Sequence, residues 1–176
     1  MREETGKRKE IYMEIKYYDI GLNLFCRQFP SPEKIVEEAG RDGVSCILTG
    51  TDMKENRKIC DFVKTHNVFG TAGIHPHNAD RAKQEDFELI EGILSKNRKM
   101  VAVGECGLDY DRMFSTKENQ IRCLEKQIVL AEKLDMPLFL HERSAADDFV
   151  KSRWSIVLRA TGRYWRDICR WDSRSA

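Results

Sequence analysis

Short apolar runs alternate with longer amphipathic stretches along most of this chain, and the alternation predicts strand, helix, strand, helix. Residues 17–24 read as a first strand. A helix over 31–42 follows, with Ser31 at its cap and Pro32 in its first turn, stopping near Gly40 or Gly43. Residues 44–48 are a short apolar strand, and Thr51 or Asp52 caps a helix over 52–65. A third strand over 68–74 precedes a helix over 84–96. A fourth strand over 99–104 precedes a helix over 116–134, capped by Ser115 or Thr116. That helix has the clearest period, with Ile121, Leu124, Ile128, Ala131 and Leu134 on one face. A fifth strand over 136–140 leads to a further helix from 145 to 151. No internal repeat or low-complexity tract interrupts the series.

Consecutive strand–helix units with short apolar strands imply an α/β fold built on a parallel sheet. Two closures are open: a doubly wound sheet, or part of a TIM-type (β/α)8 barrel. Both gather chemistry at the carboxyl ends of the strands. Asp19 and Asn23 stand there on strand one, Thr49 and Thr51 on strand two, and His75 and His77 on strand three. Glu105 and Asp109 follow strand four, and His141 and Arg143 follow strand five.

A length of 176 residues suits one domain or a fragment of a larger one. With 41% hydrophobic and 34% charged residues the composition is that of a soluble globular protein, not a disordered or fibrous one. No run approaches the roughly 20 apolar residues of a membrane span, and residues 1–10 lack the apolar core of a secretion signal. A cytoplasmic setting is therefore expected, with no membrane contact and no obligate protein partner. A net charge of +1 excludes a strongly basic nucleic-acid coat protein but leaves room for an enzyme with a local basic cleft. Cys26, Cys46, Cys60, Cys106, Cys123 and Cys169 show no C-x-x-C spacing, so a zinc ribbon is not indicated and reduced, small core residues are expected.

Histidine nitrogen and carboxylate oxygen around one cleft are ligands for a divalent metal that keeps positions open for water. Such a metal polarises a phosphoryl or carbonyl oxygen, and Arg143 is suited to hold a phosphate. Each residue also has a structural reading: Glu105 as a capping carboxylate, His75 or His141 as a packed strand-end imidazole, His77 as the brace of the turn after Pro76. Three of the four histidines on one predicted rim favour the metal reading. The fourth, His66, is expected in a solvated loop. There is no phosphate-binding G-x-x-x-x-G-K-[ST] loop, no G-x-S-x-G elbow and no dinucleotide fingerprint.

Four segments occur in order: Asp19 to Leu24, Thr71 to His77, Val103 to Tyr110 with its Gly-Glu-Cys-Gly-Leu-Asp-Tyr run, and Met136 to Arg143. Together they resemble the TatD family of metal-dependent hydrolases over roughly residues 16–151. The resemblance implies a barrel of the amidohydrolase type, a divalent cation such as Mg²⁺, Mn²⁺ or Zn²⁺, and hydrolysis of phosphodiester bonds with DNA as substrate. It implies that Glu105 and His141 bind metal and that His75 faces metal or substrate phosphate. Asp19, Asn23, Asp109 and Arg143 are further catalytic or substrate-binding candidates, with His77 beside them.

Two departures from the family pattern stand out. The His-x-His of many members after strand one is here Gly21 and Asn23, as in one subgroup. The family's His-[Cys/Ser]-Phe-x-Gly and Glu-Thr-Asp motifs are missing, and a full barrel needs about 250 residues. Residues 152–176 also change character. They carry six arginines, no lysine, two aspartates and all three tryptophans, for a net +4, against −3 for residues 1–151. A permitted codon set for Ser155–Thr161, read two bases on, gives His-Cys-Val-Thr-Gly, close to one missing motif. The expectation is an N-terminal extension over 1–15, the first part of a hydrolase barrel over 16–151, and an unrelated, frame-shifted tail over 152–176. Met13 is then the authentic start. Such a truncated nuclease is expected to be weakly active or inactive. Three alternatives are a hydrolase of another ester such as D-aminoacyl-tRNA, a binding module using the Arg/Trp tail, and a doubly wound non-enzymatic domain.

Overall fold

A computed structural model describes residues 14–151 of the chain. The strands are β1 (Tyr17–Leu22), β2 (Val44–Leu48), β3 (Phe69–Ala72), β4 (Met100–Asp109) and β5 (Leu138–Arg143). Between and after them run α1 (Pro32–Arg41), α2 (Met53–Thr65), α3 (Gln84–Lys96), α4 (Lys117–Leu134) and α5 (Ala146–Lys151). A 3-10 helix over Pro76–Arg81, which hydrophobic pattern did not announce, follows β3.

Local chemistry starts and stops these helices. Pro32 opens α1, although the Ser31 side chain makes no cap bond. The Asp52 carboxylate accepts the N–H of Glu55 at 2.8 Å and so caps α2. Thr116 caps α4 through the N–H of Asn119, and Asp135 closes it in the left-handed region at φ 52°.

All strand pairs are parallel and the spatial order is β1-β2-β3-β4-β5, the order of the sequence. A doubly wound sheet reverses its order at a switch point. An unbroken order, with every crossover stepping the same way, is the wall of a barrel. The doubly wound alternative is thereby set aside, and these five strands and their helices make up part of a (β/α)8 barrel.

The core lies between the sheet and its helices. Leu48, Ile59, Val63, Ile90, Leu94, Met100, Val103 and Leu124 are essentially sealed from solvent. Burying a side chain of that size contributes about 1.5–3 kcal/mol. The face that α4 turns inward differs from the expected stripe. Gln120, Cys123, Leu124, Gln127, Ile128, Leu130 and Ala131 are buried, while Ile121 and Leu134 are only partly so. Two glutamines occupy the centre of that face because they bond to main chain.

Strands four and five run further than expected, to Asp109 and Arg143. Their mutual pairing, Val103 with Leu138 through Asp109 with Arg143, keeps β4 extended past Gly104 and β5 past Leu140, where pattern alone ends them. His66 is not in a solvated loop. It caps the C-terminus of α2, half-buried, with its ring stacked on Phe62 at 3.8 Å. Cys46, Cys106 and Cys123 are buried and Cys26 and Cys60 partly so, all unpaired, while Cys169 lies outside the described residues. The expected frame-shifted tail over 152–176 lies outside them too, as does nearly all of the expected N-terminal extension over 1–15. Among the described residues no helix is long and apolar enough to cross a membrane.

Candidate metal centre

The site is made by three neighbouring strands, β3, β4 and β5, where they approach their carboxyl ends. In β4 the register against β5 shifts between Gly104 and Cys106. Beyond that bulge, Glu105, Gly107 and Asp109 share one face and Cys106 and Leu108 the other. Cys106 is fully buried, burial holds its thiol well above the ordinary range, and its Sγ faces the Phe139 carbonyl at 3.7 Å. It is a core residue and not a ligand.

The two glycines of Gly-Glu-Cys-Gly have a physical reason. Gly104 and Gly107 take φ of 140° and 153°, which side-chain-bearing residues rarely adopt. A Cβ at Gly104 meets the Phe139 carbonyl oxygen, and one at Gly107 meets that of His141, both well inside contact distance. The motif lets β4 lie against β5 with Glu105 bulged toward the cleft. The Glu105 N–H then crosses to the Gly50 carbonyl at 2.7 Å.

His75, Glu105 and His141 converge, with one ligand atom from each lying within 4.8 Å of the others. Glu105 Oε1 is 3.2 Å from His141 Nδ1 and 3.9 Å from His75 Nε2. Ligands of one cation, about 2.1 Å from it, stand roughly 3–3.4 Å apart, a spacing that Glu105 and His141 match and His75 exceeds. The hydrogen bonds assign the roles of the nitrogens. His75 Nδ1 accepts the N–H of His77 at 3.1 Å, which leaves a neutral His75 with its proton on Nε2. Burial pulls the His75 pKa down to about 4 against the raising influence of Glu105, so the ring is neutral near pH 7. It presents a donor to the cleft.

His141 stands between two carboxylates, with Nδ1 on Glu105 and Nε2 3.4 Å from Asp109 Oδ2. That second contact is close enough for charge attraction but is not aligned as a hydrogen bond, and Nε2 is a buried nitrogen without a partner. A neutral imidazole has one N–H, so one of its nitrogens must face a carboxylate lone pair to lone pair. Either an imidazolium or a cation between Nδ1 and Glu105 removes the conflict. The donor set therefore fits a divalent ion held by Glu105 and His141.

Asp109 organises the second layer. It is fully buried, and its Oδ2 is 2.7 Å from His77 Nε2 and 3.6 Å from Arg143. Its Oδ1 accepts the N–H groups of Asp111 and Arg112 at 3.1 and 3.0 Å. Burial pushes this carboxyl up, but the Arg112 N–H, His77, Arg143 and His141 outweigh it and leave the pKa at about 2. For Glu105 burial also raises the pKa, and the hydrogen bond from His141 with the neighbouring imidazoles brings it below the ordinary range.

These side chains line a cavity of about 450 Å³ together with Asn23, Thr51, Asn78 and Glu142. Of the expected residues, Asn23, His75, His77, Glu105, His141 and Arg143 meet there, and Asp109 anchors them from below. Asp19 does not reach it. It pairs with Cys46 in mid-strand, exposed on β1. Sequence reasoning passed over Asn78 and Glu142. The Asn78 amide bonds the Thr51 carbonyl at 3.1 Å, and Glu142 accepts the N–H of Ala145 at 2.7 Å. Asn78 sits inside the 3-10 turn that hydrophobic pattern does not announce, so no sequence signal marks it. A larger hollow of about 560 Å³ between α3 and α4 is flanked by surface charges such as Glu91 and Lys133, already paired at 2.6 Å.

The comparisons agree with this architecture. The 3'-5' ssDNA/RNA exonuclease TatD of Erwinia tasmaniensis is 37% identical over 137 residues, which is 76% of this chain and 52% of the relative. The protein of the same name from Cronobacter sakazakii is 38% identical over 136 residues, 76% of this chain and 51% of its own. The chain thus spans about half the length of the curated relatives it matches. The crystal structure of YJJV, a TATD homolog from Escherichia coli k12, superposes with a TM-score of 0.69 at 25% identity, covering 79% of this chain and 55% of that one. The family profile described as TatD related DNase matches residues 18–156, slightly past the expected boundary at 151. With the profile spanning most of its length, this chain belongs to the TatD related DNase family.

Proposed function

We propose that this chain carries the first part of a divalent-metal-dependent nuclease site, which binds a phosphodiester of DNA or RNA in the cleft beside Glu105 and His141. The observation that supports it most directly is the placement of His141 between two carboxylates with a buried nitrogen lacking a partner. The relatives' naming as exonucleases on single-stranded DNA and RNA supports the substrate class.

In this reading Glu105 and His141 hold the cation, and Mg²⁺, Mn²⁺ or Zn²⁺ bound there supplies Lewis-acid polarisation of a phosphoryl oxygen. The chain's own groups do the rest. The His75 Nε2–H donates to a phosphate oxygen, and burial keeps it a neutral donor. Arg143 is tethered by one guanidinium nitrogen to Asp109 and lines the cavity, so its other donors are directed at the substrate's charge. Asp109 fixes His77, His141 and Arg143 relative to one another. Asn23 and Asn78 contribute neutral polar groups at the cavity wall. The five unpaired cysteines among the described residues support a reducing, cytoplasmic setting.

The test is Mn²⁺ titration of the 176-residue chain, followed by cleavage of a single-stranded oligonucleotide with Mn²⁺ or Mg²⁺. The expected outcome is Mn²⁺ binding that Glu105→Ala and His141→Ala each abolish. Turnover is expected to be slow, because catalytic metal sites use three protein ligands and two lone pairs converge among the described residues. Binding of Mn²⁺ unchanged by either substitution overturns the assignment. Fast cleavage lost in Glu105→Ala overturns only the expectation of slow turnover.

A further inference from the structure

We propose that Phe114 is a stacking platform for the nucleobase adjoining the phosphate held at this site, an inference that rests on the nuclease reading above. The loop between β4 and α4 carries the ring. Phe114 is 64% exposed and stands edge-to-face on the His77 imidazole, with centroids 4.7 Å apart. His77 is itself 4.3 Å from His75, and His75 is 4.6 Å from His141. The phenyl ring is therefore one imidazole away from the proposed phosphate donor, against His77, which lines the cleft.

Single exposed apolar side chains are ordinary. Phe114 differs in its seat. On one side, the N–H groups of Asp111 and Arg112 bond to Asp109 Oδ1. On the other, Ser115 is buried, its Oγ donates to the His77 carbonyl at 3.1 Å, and its own carbonyl accepts from Gln120 at 2.9 Å. Both ends of the loop are thus fixed to residues that border the site. A ring already held in place loses little freedom when a base lies on it. Two cations belong to the same stretch: Arg112, exposed and 3.7 Å from the Asp111 carboxylate, and Lys117, over the Tyr110 ring at 4.3 Å. Aromatic rings interleaved with cations are the means by which single-stranded nucleic acid is held without sequence preference.

The experiment measures fluorescence anisotropy of the full chain with Mg²⁺ and a short phosphorothioate oligothymidylate. A second strand of equal length carries abasic sugars at its terminal positions. Phe114→Ala is expected to weaken binding of the base-bearing strand about 5- to 150-fold and to leave the abasic strand unchanged. Phe114→Trp is expected to restore the loss. An equal effect of Phe114→Ala on both strands, or none on either, overturns the stacking role while phosphate binding persists. If the unaltered chain binds neither strand, the nuclease reading itself fails and this inference with it.

Discussion

His77 Nε2 and Asp109 Oδ2 lie 2.7 Å apart, joining the turn after β3 to the end of β4 across 32 residues of chain. The same carboxylate oxygen faces His141 and Arg143. One buried charge thus orients three rim side chains, and removing it should loosen all of them together. Asp109→Asn keeps the shape and deletes the charge. Partners behind metal ligands typically change affinity or activity 10- to 100-fold. Mn²⁺ affinity is expected to fall by that factor in Asp109→Asn, measured by calorimetry. An unchanged affinity means that Asp109 is a packing element only.

Acid should expose the burial of His75. Its folded pKa, about 4, lies below the ordinary 6.5. The unfolded chain therefore binds more protons between these values, and stability rises with pH across that window. The contribution is full above pH 6.5 and is lost as pH falls toward 4, roughly 3 kcal/mol in all. Urea unfolding of the metal-free chain is expected to show this slope, and His75→Gln to flatten it. Equal slopes for the two proteins contradict a buried, neutral His75.

Gly107 tests the β4–β5 contact. Its φ of 153° and the nearness of the His141 carbonyl leave no place for a methyl group. Gly107→Ala should cost about 2 kcal/mol or more and displace His141, so Mn²⁺ affinity falls along with the thermal midpoint. Gly92→Ala is the control. That glycine is inside α3 with open space around it, where alanine favours the helix by up to about 1 kcal/mol.

Much of this was legible in the residues. The repeating strand–helix order predicts the parallel sheet, and local chemistry gives α3 over 84–96 and narrows two caps to residue pairs, of which Asp52 and Thr116 make the bonds. Strand order separates a barrel from a doubly wound sheet, and no local pattern encodes it. Asp19 was misplaced because the strand-end argument counts from an assumed boundary, and β1 pairs Asp19 with Cys46 in mid-strand. The extension of β4 to Asp109 is hidden by Gly104, which reads as a strand end until the neighbouring backbone is seen. The glutamines of α4 were hidden for a related reason: hydrophobic periodicity scores them as solvent-facing.

Gln127 shows what those glutamines do. It is fully buried, its Oε1 accepts the Ile74 N–H at 2.8 Å, and its Nε2 donates to the Ile74 carbonyl at 3.1 Å. Asn56 does the same for Gly73, through bonds of 2.8 and 3.2 Å. Past the end of β3 the ladder with β4 stops at Ala72 and Val103, and side-chain amides from α2 and α4 replace it. The next residue is His75, so the amides also set where the imidazole enters the cleft. Gln127→Leu keeps most of the volume but leaves a buried N–H and a buried carbonyl unpaired, each worth about 1–3 kcal/mol. A loss of roughly 2–6 kcal/mol is expected, which lowers the thermal midpoint by about 5–25 °C. Gln84→Ala, whose amide oxygen meets only the exposed Lys126 at 3.0 Å, is expected to change stability by no more than about 0.5 kcal/mol. Equal midpoints for Gln127→Leu and Gln84→Ala rule out the clamp. A large loss in Gln127→Leu alone, with Mn²⁺ affinity falling in step, ties the buried amide to the position of the metal centre.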